Sequence, residues 1–196
     1  MDSIAEKLKD STVGIAGLGG LGSVVAVACA RADIGRLIIA DFDRIDKSNL
    51  NRQHYFVDQV GQSKVAAMRE NLRRINPAVE ITGHDLRLTG DNIPEIFAGA
   101  DVIAECFDKS DQKQMLVETV LVKMSQPVVG VSGLAGYGNS NAIRTRRVSE
   151  RLVLVGDGQS GIDTNGFLTA ARVGIAASHQ ANAILELLID GTMEQK

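Results

Sequence analysis

With 196 residues, 44% of them hydrophobic and 23% charged, the chain is long enough to bury one substantial core, and a single domain over 1–196 is expected. A formal net charge of −3, 4% aromatic residues and no tryptophan exclude the basic face and stacking platform of a nucleic-acid binder. No apolar run reaches the ~18 residues that a membrane span needs, and the opening MDSIAEKLKD is charged with no signal-peptide core, so a soluble cytoplasmic protein is expected.

In chain order, short β-branched runs alternate with amphipathic segments. STVGIAG reads as a buried strand and Gly20 to Ala32 as a helix; RLIIADFD is a second strand. In QSKVAAMRENLRRI, Val65, Met68, Leu72 and Ile75 share one helical face, and the following Pro77 ends the helix. AVEITGHDL alternates as a strand, NIPEIFAG is a short helix and ADVIAECF a buried strand. SDQKQMLVETVLVKM is a helix that Ser110 or Asp111 caps, and QPVVGVSG is a further strand. NAIRTRRVSERLVLVGD reads as two strands without an intervening helix, GDGQSGIDTNG as a loop, and Thr169 to Ile189 as a long helix with Val173, Ala177, Ala181, Ile184 and Leu188 as its apolar stripe. The pattern predicts an α/β fold: a Rossmann-like, mostly parallel sheet with helices on both faces and an antiparallel strand extension near the C-terminus.

The first strand–helix junction carries Gly17, Gly19, Gly20 and Gly22, where glycines let backbone approach a phosphate and a helix N-terminus offers free N–H groups. Asp41 closes the next strand 19 positions after Gly22, near the ~20-residue spacing at which an acid grips ribose hydroxyls. This pattern points to an adenine nucleotide without choosing between NAD and ATP. The segment DFDRIDKSNLNRQHYF then adds Asp43, Asn49, Asn51, Arg52 and Gln53, for which a dehydrogenase has no use. Lys64 follows at a helix start, opposing the helix dipole, a position explained by a phosphate partner. Arg52 and Lys64 together suit a triphosphate and the charge that develops when it breaks. Asp108 ends a buried strand at the same sheet edge, where a carboxylate beside a polyphosphate suits Mg²⁺.

GLGGLGS, DFDRIDKSNLNRQ, GQSKV and CFDKSDQK, in that order, resemble the ThiF and MoeB type of adenylyltransferase, related to ubiquitin-activating enzymes. SGLAGYGNSNAIRTRR and RVGIAASHQANAILELL look most like its short ThiF-like branch, associated with the sulfur carrier of thiamine thiazole synthesis. The resemblance implies that ATP and Mg²⁺ are used to adenylate the C-terminal glycine of a small ubiquitin-like sulfur carrier ending in Gly-Gly, with release of pyrophosphate. It implies that Asp41 holds the ribose, that Asn49, Arg52 and Gln53 line the nucleotide and phosphates, that Lys64 contacts phosphate and that Asp108 binds Mg²⁺. The catalytic set is then Arg52, Lys64 and Asp108. It also implies a homodimer.

The chain departs from that family in several places. It has no CxxC pair, so no zinc is expected, and Cys29 and Cys106 lie in apolar runs as buried thiols. The loop before the last helix offers no thiol, Lys113 stands where relatives often carry arginine, and the first segment has Lys7 and Lys9 where relatives lend an arginine to the other subunit. His54 reads as a supporting hydrogen-bond residue, His179 as structural, and Arg144, Arg146 and Arg147 as either a solvated strand edge or a carrier contact. An NAD-dependent oxidoreductase, a non-catalytic nucleotide-binding scaffold and adenylation of a different carboxylate are the competing functions.

Overall fold

The computed structural model describes residues 3–161 and 166–191, so four residues of the expected GDGQSGIDTNG loop lie outside the described part. Helix α1 (Ile4–Asp10) leads into β1 (Thr12–Ala16), α2 (Gly20–Arg31) and β2 (Arg36–Asp41). Two short 3-10 turns, Lys47–Asn49 and Val57–Gln59, precede α3 (Lys64–Ile75) and β3 (Glu80–Asp85). Then come α4 (Ile93–Ile96), β4 (Val102–Glu105), α5 (Ser110–Lys123) and β5 (Val128–Val131). A third 3-10 turn at Ser140–Ala142 leads to β6 (Arg144–Ser149) and β7 (Leu152–Gly156), and the long helix α6 spans Ala170–Asp190.

The strands form one seven-stranded sheet in the order β3-β2-β1-β4-β5-β7-β6. β1 is central and fully buried, and its neighbours β2 and β4 lie parallel on either side. The chain steps one way from β1 to β2 and β3, then crosses back to β4, so the crevice beyond the carboxyl ends of β1 and β4 is the switch point at which such sheets bind ligands. The expected antiparallel extension near the C-terminus is the β6–β7 pair. β7 runs parallel to β5, and only the edge strand β6 runs antiparallel.

Two cores cover the sheet. One packs Val25, Cys29, Met68, Leu72, Ala177 and Ile184 from α2, α3 and α6 against Ile15, Leu37 and Ile39. The other packs Ile93, Phe97, Leu116 and Val120 from α4 and α5 against Ile103 and Val128. The predicted stripes hold, except that Ile75 and Leu188 are only partly buried and Leu187 takes the deeper position. The predicted cap of α5 does not form. Lys109 occupies the cap position with no side-chain bond, and Ser110 and Asp111 lie inside the first turn.

Candidate active site

A cavity of about 400 Å³ opens at the switch point. Its floor is the turn between β1 and α2. Gly17 has φ +92°, and a Cβ there would stand 3.0 Å from the Cys106 carbonyl oxygen, so the turn requires glycine. A Cβ on Gly22 would fall 1.8 Å from the Gly17 carbonyl oxygen, so its role is to let the helix close on the turn. Gly17, Gly19 and Gly20 line the cavity and Gly22 does not. The cap residue of α2, Gly19, offers no side-chain cap and the first turn holds no acid, leaving N–H groups and positive dipole facing the cavity.

Asp41, 9% exposed, braces this turn. Its Oδ2 accepts the Leu18 N–H at 2.6 Å and its Oδ1 the Asp43 N–H at 2.8 Å. From the other side the Tyr55 hydroxyl donates to the Leu18 carbonyl at 2.9 Å, so Leu18 is held at both its N–H and its carbonyl. Burial, with the nearby Asp41 and Asp43 charges, pushes the Tyr55 phenol far up and keeps it a neutral donor. Each Asp41 oxygen accepts one of these bonds and keeps acceptor capacity for a further donor.

Lys64 is buried at the start of α3, 2.7 Å from the Asp43 carboxylate and 4.0 Å from that of Asp41. The lysine that opposed its helix dipole in the sequence is thus neutralised here by half-exposed Asp43, a partner an anionic ligand can replace. Arg52 lines the cavity and donates to Asn51 Oδ1 at 2.7 Å and to the Ser48 carbonyl at 3.3 Å. Gln53 is 7% exposed and also lines the cavity, and its buried Oε1 has no hydrogen-bond partner. An orphaned buried acceptor costs about 1–3 kcal/mol, so this atom fits a site that a ligand donor completes. Asn49 and Asn51 do not line the cavity. Asn49 Oδ1 accepts the Asp46 N–H at 3.0 Å and shapes the turn, and Asn51 orients Arg52.

On the β4 side the carboxylate of Asp108 is exposed on the cavity wall with no hydrogen-bond partner among the described residues. Magnesium binds one or two carboxylates together with phosphate oxygens, and a free carboxylate beside two uncapped helix starts fits that requirement. Cys106 is 6% exposed, with its thiol 3.6 Å from Gln180 Oε1. Burial first, and the Glu105 charge second, push this thiol well above its ordinary range, which disfavours the reactive thiolate. Cys29 is likewise pushed up to about 12 by burial.

The sequence reading missed several groups at the cavity. Phe42, Leu86 and Leu88 form an apolar strip, with the Arg87 guanidinium 4.1 Å over the Phe42 ring. Phe42 was legible only as the residue after Asp41, and Arg87 carried no signal. His54 supports the site through its backbone, where its N–H donates to Ser23 Oγ at 3.1 Å and its carbonyl accepts from Asn71 Nδ2 at 3.2 Å. His179 meets Thr145 Oγ1 at 3.0 Å and is structural. Lys7 donates to the Ile189 carbonyl near the end of α6. Val173 of the same helix lines the cavity sixteen residues earlier, so Lys7 sits ~24 Å away along the axis.

The fold and the site together define a nucleotide-binding α/β domain with its phosphate turn after β1 and a cationic rim. The sequence matches the ThiF family over residues 2–196, and the chain belongs to that family. It is 34% identical over 150 residues to the Escherichia coli sulfur carrier protein ThiS adenylyltransferase, covering 74% of this chain and 59% of that protein. It is 40% identical over 112 residues to the Salmonella typhimurium molybdopterin-synthase adenylyltransferase, covering 57% of this chain and 45% of that protein. The chain therefore spans only about half the length of these relatives. Among solved structures it is similar to E. coli tRNA N6-threonylcarbamoyladenosine dehydratase in complex with AMP, at a TM-score of 0.86 and 22% identity over 97% of this chain and 90% of that one. No described helix is long and apolar enough to cross a membrane.

Proposed function

We propose that this chain uses ATP to adenylate the C-terminal glycine carboxylate of a small ubiquitin-like sulfur carrier, releasing pyrophosphate. The observation that carries the reading is the convergence, in one cavity, of the uncapped α2 start with Arg52, Lys64 and the free Asp108 carboxylate. An NAD-dependent oxidoreductase leaves those three side chains without a role. The likeness to the ThiS adenylyltransferase supports the carrier as substrate.

In this reading the nucleobase lies on the strip of Phe42, Leu86 and Leu88, and the ribose meets Asp41. The triphosphate follows the α2 N–H groups toward Arg52 and Lys64. The carrier tail enters past Leu134, Leu168 and Val173, which line the remaining wall. The nucleophile is already a carboxylate, so no general base is needed; the protein aligns two anions and offsets their repulsion. Asp108 holds Mg²⁺, which when bound supplies charge neutralisation on phosphate oxygens. A homodimer belongs to the same reading, with exposed Phe56, Val57 and Val60 as its contact.

The test is ATP–pyrophosphate exchange with a carrier ending in Gly-Gly. Exchange that requires the carrier, and that falls by about two to three orders of magnitude in Arg52→Ala or Asp108→Ala with the unfolding midpoint unchanged, supports the assignment. ATP binding with no exchange for any such carrier moves the function to another carboxylate or to a scaffold.

A further inference from the structure

Beside Asp108 lies a charge pair to which the proposed chemistry gives no task. Glu105 ends β4 and is 1% exposed. Its Oε1 accepts the Phe107 N–H at 2.7 Å, and its Oε2 lies 3.5 Å from the Val131 N–H. The Lys113 ammonium straddles the carboxylate, 3.2 Å from Oε1 and 3.1 Å from Oε2.

Lys113 belongs to the first turn of α5, whose start is uncapped, and the positive end of the helix repels an ammonium there. A lysine in that place gains most by reaching out into water. Here its side chain is only 24% exposed and forms part of the cavity wall. An ammonium has three donors. Two meet Glu105, and the third has no acceptor among the described residues. Glu105 itself is too buried to touch a ligand, so any effect it has on one passes through Lys113. The contrast with Lys64 is instructive: the Asp43 carboxylate beside it is 49% exposed, against 2% for that of Glu105. The Lys64 pair can open to a ligand, whereas the Lys113 pair is fixed to backbone and stays in place.

We propose that Glu105 is a positioning residue that holds the Lys113 ammonium against the cavity, where its remaining N–H contacts a phosphate oxygen of the bound nucleotide. The identity of the ligand rests on the adenylyl-transfer reading, and the pairing rests on the distances. The pair supplies a preorganised cation whose orientation costs nothing at the moment of reaction.

The experiment is a double-mutant cycle on the full chain, read by titration calorimetry with ATP and by kcat and KM for ATP–pyrophosphate exchange. Lys113→Met removes the cation, and Glu105→Gln keeps the shape and the backbone acceptor while losing the ion pair. Each single change is expected to weaken ATP binding by about tenfold and to lower kcat by about 100-fold, with the carrier KM unchanged. The double variant is expected to be no worse than Lys113→Met, because the two residues act as one unit. The proposal is overturned if Lys113→Met keeps wild-type affinity and kcat. It is equally overturned if Glu105→Gln costs the same factor with Lys113 present or absent, since that marks a purely structural role. If Glu105→Gln does not fold, Glu105→Asp, which draws the carboxylate back by one methylene, takes its place in the cycle with the same two outcomes. A wild-type chain that binds ATP without exchange overturns adenylyl transfer and leaves the affinity cycle to decide this proposal; one that does not bind ATP overturns both.

Discussion

Four helices begin at the carboxyl edge of the sheet, and they fall into two pairs. α3 and α6 carry their own caps: Ser63 Oγ accepts the Ala66 N–H, and Thr169 Oγ1 accepts the Arg172 N–H. α2 and α5 have no side-chain cap, and both border the cavity at Gly19 and Lys109. A helix start that completes its own hydrogen bonds is architecture, and one that leaves them open toward a cavity is a place for an anion. The Ser110 or Asp111 cap expected for α5 belongs to the first kind, and its absence moves α5 to the second.

The sharpest way to break this comparison is to cap α2. A Cβ on Gly19 meets nothing closer than 3.8 Å, so Gly19→Asp has room in the fold. Stability should hold or rise by a few tenths of a kcal/mol, while the new carboxylate should weaken ATP binding by about 100-fold or more, measured by calorimetry beside thermal unfolding. Next in size is Gly22→Ala, which drives a methyl into the Gly17 carbonyl and should destabilise by about 1–3 kcal/mol in urea unfolding. Thr169→Ala removes a cap that serves only the fold. It should cost about 1 kcal/mol of stability and leave ATP affinity unchanged, the mirror image of Gly19→Asp.

The smallest effect concerns the knot behind the α6 cap. Asp157 pairs with Arg172 at 2.6 Å, and Arg172 donates also to the Gly138 carbonyl at 2.6 Å, tying two loops to the start of α6. Burial alone would raise the Asp157 pKa, but the bonds from Ser160, Gln159 and Arg172 outweigh it and hold it at about 2. A depressed carboxyl stabilises the fold above its unfolded pKa near ~3.9, and the contribution disappears as pH falls through the folded value. Solvent screening at this rim limits the loss between pH ~4 and ~2 to about 0.5–1 kcal/mol. Urea midpoints should decline less steeply over that window in Asp157→Asn than in the wild type.

Local pattern was enough for the element order, the parallel sheet and the glycine turn, because each is written within a few neighbouring residues. That Asp41, Arg52, Lys64 and Asp108 line one cavity was legible for the same reason, since each lies in or close to a recognisable element or motif. Partners distant in sequence were not. Tyr55 clamps Leu18, Glu105 holds Lys113 and Arg172 anchors Asp157 across separations that no periodicity encodes. Asn49 and Asn51 carried the chemistry of ligand contacts, but that chemistry serves a tight turn equally well, and the turn is where Asn49 spends it. The order of β7 and β6 was also hidden, since a hairpin's sequence does not say which arm faces inward.

That order leaves β6 on the open rim of the sheet, with Arg144 and Arg146 exposed two residues apart and the pairing register shifting between Arg147 and Ser149. A free strand edge is a template for further strands, and guanidinium charges with a local irregularity make it a poor one. Two copies brought together along this rim would set like charges face to face. The arginines thereby guard the molecule against sheet-to-sheet aggregation at high concentration, whatever else they meet.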